Sequence, residues 1–271
     1  MVKTLLKKQI GEIFRSYFYD AKKNKPRSKA STILFILFFV FLMVGILGGM
    51  FALLSYVICG AFVSVEMGWM YFCIMGLLAI LLGAFGSVFN TYSGLYLSKD
   101  NDLLLSMPIP VRSIMVSRLL GVYLMGLMYS AVVILPAVIV YWLTAPLAPA
   151  VIIGSLLFVL LISVLVLILS CVLGWVVAKI SLKLKNKSIM AALIALVALG
   201  AYYFFYFKAQ SMIEDLVTNA LVYGIHVKSA AYPLYLFGRY AEGDWTAIAV
   251  FTAAVAVLFA LLWYVLSRSF L

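Results

Sequence analysis

The sequence predicts an all-α integral membrane protein with six transmembrane helices and both termini in the cytoplasm. Composition is the first reason: of 271 residues, 67% are hydrophobic and only 11% are charged, whereas a soluble domain is roughly half apolar and a quarter charged. The second reason is that the charges fall in short blocks between long uncharged stretches. The third is the uneven division of lysine and arginine among those blocks. The chain is expected to form a single transmembrane domain over residues 1–271.

Six spans follow from the lengths of the uncharged stretches, because a helix needs about 20 apolar residues to cross a bilayer core. The third stretch, Leu119–Ala178, is far longer than one span and holds Pro146 and Pro149 near its middle. Two prolines would break a helix there, so this stretch predicts a hairpin of two spans. The six spans are expected near 33–59, 68–92, 117–142, 150–178, 188–207 and 246–266.

Lysine and arginine give the orientation. Seventeen of the 20 basic residues precede the first span or lie in alternate loops after it, while only Lys208, Lys228 and Arg239 lie on the other side. Because basic residues are retained on the cytoplasmic side of a membrane, both termini are expected there. The net charge of +11 is therefore a topology signal, and no nucleic-acid partner is expected. We call the end of the bundle expected to face the cytoplasm the inner end, and the opposite end the outer end.

Residues 1–31 form a basic cytoplasmic leader. Between Val2 and Phe18 apolar residues recur at three- and four-residue steps, which predicts an amphipathic helix. Such a helix next to a span is expected to lie in the membrane interface and to bind anionic lipid. Its anchoring residues would be Leu6, Ile10, Ile13, Phe14 and Tyr17. The alternative is a solvated helix held against the cytoplasmic loops.

The loop between the second and third spans, residues 95–116, predicts a helical elbow on the cytoplasmic face. Ser98 is a suitable N-cap for a short helix, Pro108 ends that helix, and Pro110 suits the first turn of the helix that becomes the third span. Two acidic residues favour the first turn of the short helix, namely Asp100 and Asp102. The same helix displays four apolar side chains, namely Leu103, Leu104, Leu105 and Met107. These apolar side chains must be buried, either in the groove of a partner protein or against the protein's own helix ends and lipid. The sequence is compatible with both alternatives.

The longest outer segment runs over residues 208–245. Apolar and polar residues alternate there in a helix-like way, and the apolar run 231–238 is too short to span, so interfacial or re-entrant outer helices are expected before the last span. Irregular backbone at membrane depth must be buried in protein or face water, which would allow this segment to form an outer gate. The alternative is a lid on the outer surface.

Histidine and acidic residues, which form most catalytic and metal sites, are missing from the predicted spans. The one histidine, His226, lies in the outer segment, no acid lies in the middle of a span, and no glycine-rich phosphate-binding loop occurs. The three cysteines have no ligand-like spacing and are expected to be inert: Cys59, Cys73 and Cys171. No catalytic residue, metal or cofactor is therefore expected, a membrane enzyme is the least favoured class, and any energy for transport would come from a partner.

Two stretches of sequence carry a resemblance to a known family. One is the elbow over residues 98–112, Ser-Lys-Asp-Asn-Asp-Leu-Leu-Leu-Ser-Met-Pro-Ile-Pro-Val-Arg, leading into Ser-Arg-Leu-Leu at 117–120. The other, at 232–245 before the last span, is Tyr-Pro-Leu-Tyr-Leu-Phe-Gly-Arg-Tyr-Ala-Glu-Gly-Asp-Trp. Together with the amphipathic leader and the six spans with inward termini, they make nearly the whole chain resemble the type 2 ATP-binding-cassette (ABC) exporter permeases. In that family an acidic, leucine-containing stretch ending in Pro-Ile is the coupling helix, which rests on a separate ATPase subunit.

The resemblance implies a permease subunit of an ABC exporter in the plasma membrane, driven by a separate ATPase subunit. Carried over by position, the ATPase contacts would be Asp100, Asp102, Leu103, Leu104, Leu105, Met107, Pro108 and Ile109. The leader would be the interfacial connecting helix, and 208–245 would match the re-entrant outer helices. The elbow resembles that of bacterial exporters about twice as long, built from two six-helix halves, so a second half or a homodimer is expected. A non-transporting membrane scaffold or immunity-type protein is the alternative.

Overall fold

The structure is a computed structural model, and the residues that it describes are almost entirely helical. These are residues 2–13, 18–20, 25–96, 110–146, 148–183, 203, 208, 211, 213, 215–216 and 218–269. The fifth predicted span, 188–207, lies outside the described residues apart from Tyr203. The elbow residues 97–109 lie outside them as well.

Eight helices and one short strand pair are described. The helices are α1 (Val2–Ile13), α2 (Lys29–Ser64), α3 (Gly68–Tyr96), α4 (Val111–Thr144), α5 (Pro149–Lys183), α6 (Ala220–Ala230), α7 (Tyr232–Ala241) and α8 (Trp245–Ser269). Strands β1 (Tyr19–Asp20) and β2 (Lys25–Pro26) pair in antiparallel register between α1 and α2. Two π-helical segments lie within the long helices, Phe41–Gly48 in α2 and Tyr92–Tyr96 at the end of α3.

Within the described residues, five helices are long and apolar enough to cross a membrane: α2, α3, α4, α5 and α8. They correspond to the first four predicted spans and the sixth, and the architecture is that of an all-α multi-pass membrane protein. The predicted break in the third uncharged stretch is confirmed, since α4 ends at Thr144 and α5 begins at Pro149. Of the predicted leader helix the structure describes α1 over Val2–Ile13, while residues 14–17 lie outside the described residues.

Helices α3, α4 and α5 form the core of the bundle. In their most apolar stretches 50%, 44% and 44% of the residues are buried, whereas only 6% are buried in α2 and in α8. Most residues in these stretches of α2 and α8 are therefore at least partly accessible, as expected of helices that face lipid.

Close helix contact in this core depends on two glycines that face one valine. Val166 of α5 is fully buried and lies between Gly83 of α3 and Gly126 of α4. A Cβ atom at either glycine would lie 2.8 Å from a Val166 methyl carbon, so the helices would have to move apart to admit one. Lipid is as apolar as a side chain, and helices in membranes therefore associate through such close packing.

Buried hydroxyl groups join the same helices. The Ser87 hydroxyl of α3 donates to the Gly83 carbonyl at 2.7 Å and lies 2.6 Å from the Ser170 hydroxyl of α5. Since Ser87 uses its proton within its own helix, Ser170 is the donor across the helix pair. Both serines are fully buried, and hydrogen bonds of this kind between membrane helices contribute about 0.6 kcal/mol on average.

We expect Gly126→Val to destabilise the bundle by about 1–3 kcal/mol, because the added carbons overlap Val166. Unfolding of the purified protein in mixed detergent micelles measures this loss. Val166→Ala in the same background should restore part of the stability by vacating the space. Gly60→Val is the matched control, since a Cβ at that helical glycine meets no atom within 4 Å. Equal losses at positions 60 and 126 would contradict the packing described here.

Candidate functional site

The first candidate site is the inner junction, where α3 ends and α4 begins on either side of the elbow. Arg118 of α4 is only 7% exposed, and its guanidinium donates to the backbone carbonyl of Gly94 in α3. The carbonyl belongs to the π-helical last turn of α3. This contact ties the two helices together across the 14 residues, 97–110, that connect them. Arg118 is one of the 17 basic residues from which the orientation is predicted. The structure gives it a second role, in helix packing.

The end of α3 is also fixed to α5. The Tyr96 hydroxyl donates to the Cys171 carbonyl at 2.9 Å, and its ring lies against Gly174, where a Cβ would come within 3.2 Å. The neighbouring Leu95 is 1% exposed and packs with Leu119 of α4 and other residues of an inner core. Both ends of the elbow therefore leave from a packed platform made by three helices.

Helix α1 docks on the same junction. The Ser117 hydroxyl of α4 donates to the Gln9 side-chain oxygen at 3.2 Å. One turn further along α4, a Cβ at Gly121 would lie 2.7 Å from the Gln9 amide nitrogen, so the absence of a side chain there admits Gln9. Leu6 and Ile10 are half-buried in α1. The leader helix is thus held against the bundle, and its anchoring of lipid stays a prediction.

The remaining predicted site residues at the inner end are only partly within the structure. Ile13 closes α1, while Phe14 and Tyr17 lie outside the described residues. All eight predicted ATPase contacts lie outside them too: Asp100, Asp102, Leu103, Leu104, Leu105, Met107, Pro108 and Ile109. The structure does describe the residue at the start of the helix that follows the elbow, because Pro110 is the N-cap of α4. The prediction that this proline starts the helix of the third span is confirmed to within one residue.

The second candidate site is the outer lid, formed by α6, α7 and the turn at residues 242–244. In α7, Gly238 lies directly on the Trp69 carbonyl of α3, so closely that any Cβ would collide with it. The Trp69 ring meets Tyr235 edge to face, with centroids 5.0 Å apart. Phe237 packs its ring 4.9 Å from that of Phe158 in α5. The lid therefore covers the outer ends of α3 and α5, and its entry into the bilayer stays a prediction.

The turn between α7 and α8 fits against α5 through backbone contact. Gly243 has φ +86°, a conformation that glycine adopts without strain. Opposite it, Gly154 of α5 is so close that a Cβ would lie 2.6 Å from the Gly243 nitrogen. Because neither glycine has a side chain, the turn approaches α5 at backbone distance. The hairpin of α7 and α8 is thereby attached to the core.

Glu242 is the most unusual carboxyl of the lid. The Trp69 N–H at the start of α3 interacts with this carboxyl group, and the Arg239 guanidinium lies 3.5 Å from one of its oxygens. A Cβ at Gly68 would lie 2.5 Å from the Tyr141 hydroxyl and 2.7 Å from a Glu242 oxygen, so both groups converge over that glycine. Burial raises the pKa of Glu242 to about 7, against the opposing effects of Arg239 and the Trp69 N–H.

Asp244 stabilises the adjacent helix end by a different arrangement. One oxygen accepts from the Thr246 hydroxyl at 2.6 Å and from the Thr246 N–H at 3.0 Å, which caps the first turn of α8. The other accepts from the Arg239 guanidinium at 2.9 Å. The Thr246 hydroxyl, followed by Arg239, lowers the pKa of Asp244 to about 2. Arg239 therefore lies between one carboxylate that is ionised at neutral pH and one that titrates near it.

The described residues offer little for catalysis. His226 is exposed on α6, with its Nδ1 atom 2.9 Å from the Val222 carbonyl. The three cysteines are buried, and no group of three histidine, cysteine or acidic residues within the described chain is placed to hold a metal ion. Sequence reasoning missed the roles of Arg118 and Glu242, since each depends on a contact made far along the chain.

No protein-family model, curated protein or solved structure matches the chain. Its family is therefore not assigned by these comparisons. The inner junction and the outer lid, joined by α3, α4 and α5, are the features from which a function is inferred.

We expect Gly121→Leu to displace α1 from α4, because the new side chain occupies the place of Gln9. Loss of about 1–2 kcal/mol of local stability would raise the open population roughly tenfold. Trypsin cleavage after Lys8 in the detergent-purified protein measures this opening. Gly60→Leu is the control and should leave the cleavage rate unchanged. An unchanged rate in Gly121→Leu would show that α1 does not depend on this contact.

The raised pKa of Glu242 predicts that the stability of the folded protein depends on pH. A pKa raised in the folded state means that the folded protein binds this proton more tightly than the unfolded chain does. The stabilisation is therefore full below about pH 4.5 and is lost as the pH rises through about 7. We expect the free energy of unfolding to fall by about 1–3 kcal/mol from pH 5 to pH 8 through this group, measured by unfolding in detergent.

Two variants separate this carboxyl from its neighbour. Glu242→Gln should remove most of the fall between pH 5 and pH 8, because the amide does not titrate. Asp244→Asn should lower stability at both pH values but retain the fall, since the pKa of Asp244 lies near 2, outside that range. A fall that persists in Glu242→Gln would assign the titration to another group.

Proposed function

We propose that the chain is the permease subunit of an ABC-type exporter in the plasma membrane, driven by a separate ATPase subunit. The proposal combines the sequence resemblance of the elbow with the way in which both its ends are held. A coupling element must transmit motion from the ATPase to the membrane helices, which requires rigid attachment on the membrane side.

The observation that carries the proposal is the inner junction. The Arg118 guanidinium and the Gly94 carbonyl join the helices on the two sides of the elbow, and Tyr96 joins the first of them to α5. A force applied to residues 97–109 would therefore act on three core helices together. Burying the charge of Arg118 is costly, and its bond to the Gly94 carbonyl places that cost at the point where α3 and α4 meet.

The outer lid lies at the end of the bundle from which an exporter would release its substrate. Helix α3 carries Gly94 at the inner junction and Trp69 under the lid, so the two ends lie on one continuous helix. Movement of α3 at the inner end would disturb the contacts of Trp69 with Gly238 and Glu242. Opening of the lid on the outer side is the corresponding export step in this proposal.

The predicted partner of the membrane domain is a second six-helix unit, either another half of a longer permease or a second copy of this chain. In the most apolar stretches of α2 and α8 only 6% of the residues are buried, which leaves accessible helix surface for such a unit beside the core. The direction of transport rests on the resemblance alone.

The proposal predicts that a charge in the elbow separates the permease from its ATPase. We expect Leu104→Asp to reduce co-purification of a Walker-motif ATPase, co-expressed from the neighbouring gene, by about tenfold or more, because a buried interface side chain would become charged. Leu221→Asp is the matched control, since Leu221 is 58% exposed on α6 at the opposite end, and it should leave co-purification unchanged.

Transport assays on the same variants sharpen the test. Leu104→Asp should also abolish ATP-dependent export while the protein remains inserted and folded. If no ATPase associates with the wild-type chain, or if Leu104→Asp leaves both association and transport intact, the proposed function is wrong. A chain that inserts and assembles without any ATPase would instead be a membrane scaffold or immunity-type protein.

A further inference from the structure

A groove of ≈ 680 Å³ lies at the inner end, between the first turns of α4 and the last turns of α8. It is lined by Pro110, Val111, Arg112, Met115, Trp263 and Ser267. Its volume falls within the range of about 300–1,000 Å³ that is usual for sites that bind small organic molecules. None of the hydrogen bonds described for the inner junction uses Arg112, Trp263 or Ser267.

The depth of the groove matches the headgroup level of a bilayer. Trp245 begins α8 at the outer end, and Trp263 follows it by 18 residues, which is about 27 Å along a helix. The hydrocarbon core of a bilayer is about 30 Å thick, and tryptophan favours its two edges. Trp263 and the groove therefore lie at the edge opposite to the lid, where the lipid headgroups meet the acyl chains.

The lining of the groove is that of a site for an amphiphile with a negative head. Met115 is 2% exposed and forms an apolar floor with Trp263, while Arg112 is exposed at the rim beside the Ser267 hydroxyl. Among the described residues no carboxylate lies within ion-pair distance of Arg112. Arg268, the next residue of α8, adds a second positive charge at this level, with its guanidinium 5.4 Å above the Tyr264 ring.

The groove is also accessible from the side. One of its walls is α8, of which only 6% of the most apolar stretch is buried, so lipid can approach along that helix. The inner leaflet, which the basic residues of the sequence predict at this end, is where anionic lipids are concentrated. A cationic rim above an apolar floor complements such a lipid in charge and in polarity.

We propose that this groove is a binding site for one anionic glycerophospholipid of the inner leaflet. Arg112 and the Ser267 hydroxyl bind the phosphate, and an acyl chain lies along Met115 and Trp263. The lipid would fill the space between α4 and α8 and so attach the peripheral last span to the core. The proposal uses the predicted orientation of the bundle and does not depend on the proposed transport function.

The test measures lipid binding by the full chain purified in mild detergent. The protein is titrated with dioleoyl phosphatidylglycerol or with dioleoyl phosphatidylcholine, and native mass spectrometry counts the bound lipid molecules. We expect one tightly held phosphatidylglycerol per chain and weaker binding of the zwitterionic phosphatidylcholine. Arg112→Gln should weaken phosphatidylglycerol binding by about fivefold or more, the effect of one basic residue at a membrane surface. Val111→Trp, which fills the groove but keeps Arg112, should abolish the tightly held molecule.

Lys179→Gln is the matched control, because Lys179 also lies near the inner end, over the Trp175 ring at 4.0 Å, but does not line the groove. It should change binding less than twofold. Equal retention of the two lipids, equal effects of Arg112→Gln and Lys179→Gln, or unaltered binding in Val111→Trp would each overturn the proposal. Because the readout is lipid binding, failure of the transport hypothesis would leave this result unaffected.

Discussion

The close approach of α3, α4 and α5 is the constraint on which the rest of the structure depends. In water the hydrophobic effect would hold three such helices together, but in lipid the surrounding solvent is as apolar as the side chains, and packing must do so instead. Val166 packs against Gly83 and Gly126 at a distance that leaves no space for a Cβ atom. The serine pair at 87 and 170 adds a hydrogen bond that neither group would find in lipid.

Both candidate sites are built on the ends of this three-helix core. At the inner end, Arg118 and Tyr96 fix the last turn of α3 to α4 and α5. At the outer end, Gly238 and Glu242 fix the lid to the first turn of the same α3 helix. A helix that is packed against its neighbours resists bending between its ends, because close-packed interiors transmit strain. Both candidate sites are therefore attached to one helix, α3, which is the arrangement that the proposed coupling requires.

Much of the fold could be predicted from the sequence, since a span is a local signal of length and polarity. The hairpin around Pro146 and Pro149 and the start of α4 at Pro110 follow from rules that concern a few neighbouring residues. The sites could not be predicted in the same way. In the sequence, Arg118 is one of many basic residues near the inner end, and only the structure shows its contact with Gly94. In the same way, Glu242 is one of several acidic residues in the outer segment, and only the structure shows its contact with α3. Their environments arise from residues 24 and more than 170 positions away, a separation that a local pattern does not record.

Small residues at four-residue spacing show the same limit. Gly45 with Gly49 and Ser170 with Gly174 have the same form in the sequence, yet Ser170 and Gly174 lie in the core, whereas a Cβ at Gly49 would meet no atom within 4 Å.

The proposed function depends on which molecule contacts the elbow. A photoreactive amino acid at Leu104 in living cells, followed by mass spectrometry of the adducts, tests this most directly. The proposed function predicts adducts with a Walker-motif ATPase from position 104 and none from position 221, whereas adducts with lipid or with this chain alone would contradict it.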